Sequence, residues 1–142
     1  MYFVELPDVG QQRLSFYLAA EEYAARYIDV APLFLYWQVE PTVIFGRNQN
    51  MESEVNVEYC RKHNIQMFRR KSGGGCVYAD LDNLMLCYIE KGDDVQLTYS
   101  CFITLMTGVL RRLGLDVKPT GRNDITIDGK KISGSAFYHI PN

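Results

Sequence analysis

Long hydrophobic runs are missing from these 142 residues. No stretch comes near the ~20 consecutive apolar side chains that cross a bilayer, so no membrane span is expected. An excess of one charge is missing too. Lys and Arg number 15 against 17 Asp and Glu, a formal net charge of -2. Nucleic-acid binding through a broadly basic face is excluded on that balance. Histidine is scarce, and none of the four cysteines (Cys60, Cys76, Cys87 and Cys101) forms a CxxC pair, so the spacing of a structural zinc site is not there. The opening Met1-Tyr2-Phe3-Val4-Glu5 lacks the basic stretch of a secretory leader. Free thiols in a reducing cytoplasm are therefore expected in preference to two disulfides.

What is present is a globular composition. Hydrophobic residues make up 47% and charged residues 23%, which rules out disorder as a description of the whole. The length is that of one ordinary domain. Leu14, Leu18, Ala25 and Ile28 recur at helical spacing, with Glu21, Glu22 and Arg26 turned elsewhere, and predict a helix over 14–28. Residues 33–37 read as an apolar strand. Glu40-Pro41 is a turn signal, and residues 42–45 read as the returning strand of a hairpin. A short helix over about 55–63 leads to a strand at 65–68. Residues 76–78 and 84–89 follow as two strands joined by an acidic turn, and the second, apolar on both faces, is placed centrally. A second long helix over 98–113 closes at Gly114, and a short strand covers 115–118. Asp128-Gly129 then joins two strands in a hairpin. The sum is one α/β domain with a mixed, largely antiparallel sheet and flanking helices.

Three segments carry candidate chemistry. In Arg69-Arg70-Lys71-Ser72-Gly73-Gly74-Gly75-Cys76-Val77-Tyr78, three successive glycines each lose about 0.5–1 kcal/mol of conformational advantage. They suit a backbone that passes close to a ligand and offers N–H groups to an anion, with three cations just before it. A flexible surface hairpin with solvated basic residues is the alternative. In the Asp128-Gly129 hairpin, regular pairing puts Ile127 opposite Lys130, Thr126 opposite Lys131, Ile125 opposite Ile132 and Asp124 opposite Ser133. One face is then apolar, and the other holds Asp124, Thr126, Lys131 and Ser133. Asp124 and Lys131 sit diagonally, ~7–8 Å apart at the backbone, which leaves room for a ligand or ion; a weak solvated ion pair is the alternative. The third segment, Gly46-Arg47-Asn48-Gln49-Asn50 after a strand, suits a pocket wall or a polar turn. Trp37 is read as core.

Taken in order, these segments resemble the lipoate–protein ligase A family over nearly the whole chain. The resemblance runs through Phe34-Leu35-Tyr36-Trp37, Val43-Ile44-Phe45-Gly46-Arg47-Asn48-Gln49-Asn50, the Arg69-to-Tyr78 block, Asp80-Leu81-Asp82-Asn83-Leu84, Gly121-Arg122-Asn123-Asp124-Ile125 and Lys130-Lys131-Ile132-Ser133-Gly134-Ser135-Ala136. The blocks RR-x-SGGG-x-V-[YF] and K-[IV]-SGSA are specific in combination. The resemblance implies a fold shared with the biotin protein ligases, which is class II aminoacyl-tRNA synthetase-like. It implies ATP-dependent activation of lipoate to lipoyl-AMP, then transfer to a lysine of lipoyl carrier domains, namely 2-oxoacid dehydrogenase E2 subunits and the glycine cleavage H protein. An octanoyl or lipoyl transferase of the same superfamily and a non-catalytic binding module are the alternatives.

Residue by residue, Arg70, Gly75, Cys76, Val77 and Tyr78 match nucleotide-binding positions. Lys131 matches the catalytic lysine that contacts both acyl carboxylate and phosphate. Gly73 and Gly74 match the acyl tunnel, and Asn123 and Asp124 match positions that hold Mg2+. Cys76 falls in a small-residue slot and is read as a backbone contributor rather than a nucleophile. Asp82 replaces the family's usual glycine in D-x-G-N. The family continues beyond Ser135-Ala136, so the 142 residues are expected to form the amino-terminal part of a larger catalytic domain, with an exposed edge that favours self-association.

Overall fold

A computed structural model describes residues 1–7, 10–121 and 123–140. In chain order the elements are β1 (Tyr2–Phe3), α1 (Leu14–Tyr27), β2 (Leu33–Trp37), β3 (Thr42–Phe45), α2 (Met51–Glu54), α3 (Val57–Lys62), β4 (Gln66–Arg69), β5 (Val77–Ala79), β6 (Met85–Ile89), α4 (Val95–Arg112), β7 (Val117–Pro119), β8 (Asp124–Ile127) and β9 (Lys130–Gly134). They form two compact units, one of residues 1–91 with Ile140 and the other Gly92–His139.

Strict alternation builds the first unit. Leu33, Leu35, Trp37 and Val39 are buried while Tyr36 faces out, as a half-buried strand requires. β2 pairs in parallel with β1 and antiparallel with β6, from Leu33 opposite Ile89 to Trp37 opposite Met85. α1 lays Leu14, Tyr17 and Ala24 on this layer, and the Tyr17 ring stacks on Trp37 at 5.2 Å between centroids. Trp37 is a core residue, as expected. β3 is central in a second sheet, parallel to β4 and antiparallel to β5.

Several expectations change here. β3 is not the return of a hairpin with β2, because its partners are β4 and β5. The Pro41 carbonyl accepts from the Gln66 amide at 2.9 Å and starts the parallel β3–β4 ladder, so residues 38–41 turn a corner between sheets. β6 is not central: among the described residues it pairs with β2 alone. Apolarity on both faces reports layers above and below a strand and says nothing about its lateral neighbours. The short helix expected over about 55–63 forms as α3, and α2 precedes it as a helix not expected; Asn50 and Asn56 cap the two, their Oδ1 atoms accepting from Glu52 N and Tyr59 N. Glu21 turns inward. The buried stripe of α1 runs through residues 14, 17, 21 and 24, and Glu21 Oε1 accepts from Trp37 Nε1 at 2.7 Å.

In the second unit α4 starts three residues ahead of its expected position, because Asp94 caps it by accepting from Leu97 N at 2.9 Å. Gly114 ends it at φ +86°, and its amide donates to Arg111 O. β7, β8 and β9 form an antiparallel meander. Asp128 and Gly129 both have positive φ, the signature of a type I′ turn. Among the described residues four of the six strand pairings are antiparallel, so the α/β fold with a mixed, largely antiparallel arrangement and flanking helices stands.

Two outcomes test this packing. Asp94→Ala should lower stability by about 1 kcal/mol in a denaturant titration, through loss of the α4 cap. Burial raises the Glu21 carboxyl above its ordinary value, against the Trp37 and Cys87 hydrogen bonds that pull it down. A folded value raised in this way gives stability that is complete below the ordinary carboxylate range and lost as pH rises through the folded value. Glu21→Gln keeps an acceptor for Trp37 without the charge. It should raise the thermal midpoint at pH 8, and the gain should fade as pH falls through the raised value.

Candidate functional site

The glycine-rich segment leaves β4 and returns as β5, and two adjacent arginines set its shape. Arg70 Nε donates to Ser72 Oγ at 3.1 Å and to Gly73 O at 3.2 Å. Its Nη2 donates to Gly73 O and Gly75 O, each at 2.7 Å, and its Nη1 to Ile44 O at 3.0 Å. Burial pulls the Arg70 value down from that of a free guanidinium. Arg69 faces the other loop. Its Nη1 lies 3.3, 3.1 and 2.6 Å from the carbonyl oxygens of Gly46, Arg47 and Gln49, and its guanidinium carbon stands 4.6 Å over the Phe45 ring.

The two loops are in contact. Arg47 N donates to Ser72 O at 3.0 Å. A Cβ at Gly46 would lie 2.1 Å from Gly74 O, so only glycine admits the approach. Gly74 itself has φ +88°. Lys71 ion-pairs with Glu22 of α1, which also holds Arg26 at 3.0 Å, and these donors lower the Glu22 value. With the loop carbonyls drawn onto arginine, none of the described residues accepts a hydrogen bond from the amides of Gly73, Gly74 or Gly75. Val77 and Tyr78 are exposed beside them. The arrangement presents backbone donors, and such a run of N–H groups is an anion-binding feature.

The Cys76 thiol is pushed up, by burial first and then by Glu54. A thiolate is therefore disfavoured there, contrary to what a nucleophile needs. At Asp82, where glycine was expected, φ is not positive. Its amide donates to Asp80 Oδ1 at 3.0 Å and Asn83 Oδ1 accepts from Asp80 N, so the turn forms without left-handed strain.

Lys131, Asn123 and Asp124 belong to the second unit. Their hairpin departs from the expected register. Ile127 opposite Lys130 and Thr126 opposite Lys131 are as expected. Beyond them Ile125 faces Ser133 and Asp124 faces Gly134, with a bulge in between. Ile132 is the extra residue, and it is 45% exposed rather than core. Lys131 Nζ closes onto Asp124 Oδ1 at 2.8 Å, so the expected open gap between them is filled by their own ion pair. Asn123 Nδ2 donates to Ser135 O at 3.3 Å, and Ser135 N to Asn123 O at 2.7 Å. Arg122 of the same motif lies outside the described residues. Among the described residues no group of three His, Cys, Asp or Glu side chains forms a ready metal cage.

The model of the lipoyl protein ligase A/B catalytic domain matches residues 14–142. The chain belongs to this family. Lipoate-protein ligase LplJ of Bacillus subtilis is 38% identical over 97% of this chain and 42% of that protein's length. Lipoate–protein ligase 1 of Staphylococcus aureus is 39% identical over 100% and 43%. The chain therefore spans about two fifths of the curated relatives it matches. A crystal structure of lipoate-protein ligase A bound with ATP superposes with a TM-score of 0.86 at 29% identity, over 95% of this chain and 60% of that one. The bipartite lipoate protein ligase of Thermoplasma acidophilum, studied with its E2 lipoyl domain, gives 0.78 at 33% identity, over 95% and 55%. The lipoate–protein ligase resemblance read from the motifs, and the fold it implied, are both shown.

Sequence reasoning passed over three residues that the family's signature blocks contain. Arg69 was a basic neighbour of Arg70, yet it holds the second loop. Gly46 was a strand end, yet it is the contact point for Gly74. Gly134 was one letter of a motif, yet a Cβ there would lie 2.8 Å from Lys131 Nζ. The signal for Gly46 was a glycine directly after the strand Thr42-Val43-Ile44-Phe45, where loss of a side chain implies close backbone approach.

Gly46→Ala should destabilise by about 1–3 kcal/mol through forced displacement of the Gly74 carbonyl. Gly73→Ala, where a Cβ meets nothing within 4 Å and φ is not positive, should change stability by less than about 0.5 kcal/mol. Chemical denaturation of the two variants checks the contrast.

Proposed function

We propose that the protein is an ATP-dependent lipoate–protein ligase, and that residues 1–142 are the amino-terminal part of its catalytic domain. The observation that carries this reading is the glycine-rich loop, whose carbonyls are tied to Arg70 and whose amides stand free beside exposed Val77 and Tyr78, within a chain of this family. Joining a carboxylate to ATP brings anions together, and preorganised backbone donors and cations offset their repulsion. The amides of Gly75, Cys76, Val77 and Tyr78 orient the nucleotide. Arg70 serves the same end by holding the loop open, and Gly73 and Gly74 leave space for the acyl chain. Lys131 places its ammonium against carboxylate and phosphate, an orienting and electrostatic role. ATP-bound lipoate-protein ligase A is among the structural relatives, and the Thermoplasma ligase is paired with an E2 lipoyl domain.

A magnesium ion suits the oxygen donors of Asp124 and Asn123. Such an ion takes one or two carboxylates and completes its shell with phosphates and water, so the absence of an all-protein cage fits. When bound it would neutralise phosphate charge. The acceptor is a lysine of a lipoyl carrier domain, E2 subunits and the H protein being the class. A cytoplasmic site and self-association through an exposed strand edge complete the proposal. No described helix is long and apolar enough to cross a membrane, and the exposed edge is that of β6, which among the described residues pairs on one side only.

The test is pyrophosphate release from the complete protein with ATP, magnesium and lipoate. Release that requires lipoate is expected; acyl transfer to a carrier domain without ATP would contradict the ligase and favour a transferase. Lys131→Ala should reduce release by about 100-fold or more, the scale of losing one fixed transition-state donor, with the circular dichroism spectrum unchanged.

A further inference from the structure

The bulge in the β8–β9 hairpin changes which side chains share a face. In a regular strand, residues three apart point to opposite sides, so Lys131 and Gly134 would be separated by the sheet. Ile132 is the extra residue of β9, and it resets the alternation. Lys131 lies opposite Thr126, and Gly134 lies opposite Asp124. Thr126 and Asp124 are two apart on β8 and share a face, so Lys131 and Gly134 share it as well. Regular pairing would instead put Ser133 opposite Asp124. The bulge moves Ser133 opposite Ile125 and brings the one residue without a side chain into that place.

The consequence is visible in the Lys131 side chain. A Cβ at residue 134 would lie 2.8 Å from both Cε and Nζ of Lys131 and 3.5 Å from Asp124 Oδ1. The lysine stem folds back along its own strand through the space that glycine leaves. At the end of that slot Nζ meets Asp124 Oδ1 at 2.8 Å. Oδ1 is shielded from solvent and makes no contact of hydrogen-bond geometry, so the Lys131 ammonium is its partner as an ion pair alone. The Asp124 backbone is fixed in turn, because its carbonyl accepts from Thr120 N at 3.0 Å. Burial raises the Tyr99 hydroxyl of α4, a hydrogen bond with Ser135 pulls it down, and the Asp124 charge adds to the rise.

We propose that Gly134 and Asp124 are positioning residues for Lys131: the bulged glycine opens a slot and the carboxylate closes its end, so the lysine is placed before substrate arrives. A free lysine side chain loses rotamer freedom when it engages a ligand, and one already placed avoids that loss. The inference rests on the ligase reading for the use made of Lys131, and on this hairpin alone for its placement.

Gly134→Ala separates placement from folding. The Gly134 φ is one that any residue adopts, and the atoms a methyl group would meet are the far end of a flexible side chain. The thermal midpoint should therefore move by less than about 3 °C. In the complete protein, the kcat for lipoate-dependent pyrophosphate release should fall about 10-fold to 100-fold, the scale of a misplaced group, with a smaller change in KM for ATP. The second readout is the 13Cε resonance of Lys131 in lysine-labelled protein, assigned with Lys131→Arg. In Gly134→Ala it should move towards that of Lys130, and Asp124→Asn should move it the same way. An unmoved Lys131 resonance in Gly134→Ala overturns the slot, and a moved resonance with unchanged kcat overturns its catalytic use. If Gly134→Ala does not fold, the Asp124→Asn resonance decides the placement. A wild-type protein that releases no pyrophosphate refutes the ligase reading and the catalytic use with it, while the resonance still reports the slot.

Discussion

Two neighbouring loops of the first unit share one source of hydrogen-bond donors, the guanidinium groups of Arg69 and Arg70. A polar backbone group taken from water without a partner costs free energy on the scale of a lost hydrogen bond. The pair of guanidinium groups meets that need for the part-buried carbonyls of Ile44, Gly46 and Gly73, and it also holds the exposed ones of Arg47, Gln49 and Gly75. Guanidinium suits the task because its planar fork presents several donors in fixed directions. The glycine-rich loop is therefore held in shape by its own arginine. Its amides, not its carbonyls, are what it offers outward. Gly46 completes the arrangement by omission, since any side chain there would collide with Gly74 O.

The second unit uses the same device in another form. A bulge shifts the alternation of β9 by one, and the residue that lands beside the Lys131 ammonium is again a glycine. In both units a missing side chain makes room for a group that chemistry requires, a carbonyl in one case and a lysine stem in the other. Glycines in a signature block are easily read as flexibility. Here Gly46 and Gly134 act as space, and their φ values lie outside the left-handed region.

Much of this was legible in the residues. The apolar strand over residues 33–37, the Asp128-Gly129 turn and the Gly114 stop each carry a local physical signal, and each formed where expected. The family was legible from two motif blocks. Lateral pairing was not. Nothing local told that Thr42-Val43-Ile44-Phe45 would pair with β4 and β5 rather than fold back on β2, because a corner and a hairpin share the same turn residues. The inward turn of Glu21 was hidden by its charge, although its place at 14, 17, 21 and 24 put it on the buried stripe. The bulge was hidden because Ile132 keeps the apolar alternation that regular pairing demands. Asn50, Asn56 and Asp94 were readable as caps, and attention to them would have fixed three helix starts.

The ligase reading stands or falls on whether the arginine-held loop offers the amides of Gly75, Cys76, Val77 and Tyr78 to a nucleotide. The direct measurement is a 1H–15N correlation spectrum of the complete, isotope-labelled protein as ATP and magnesium are added. The account predicts that the amide resonances from Gly75 to Tyr78 shift with saturation, and that they shift far less in Arg70→Ala, where the carbonyls of Gly73 and Gly75 lose their anchor. Saturable ATP binding that leaves those amides unmoved while perturbing others would contradict it.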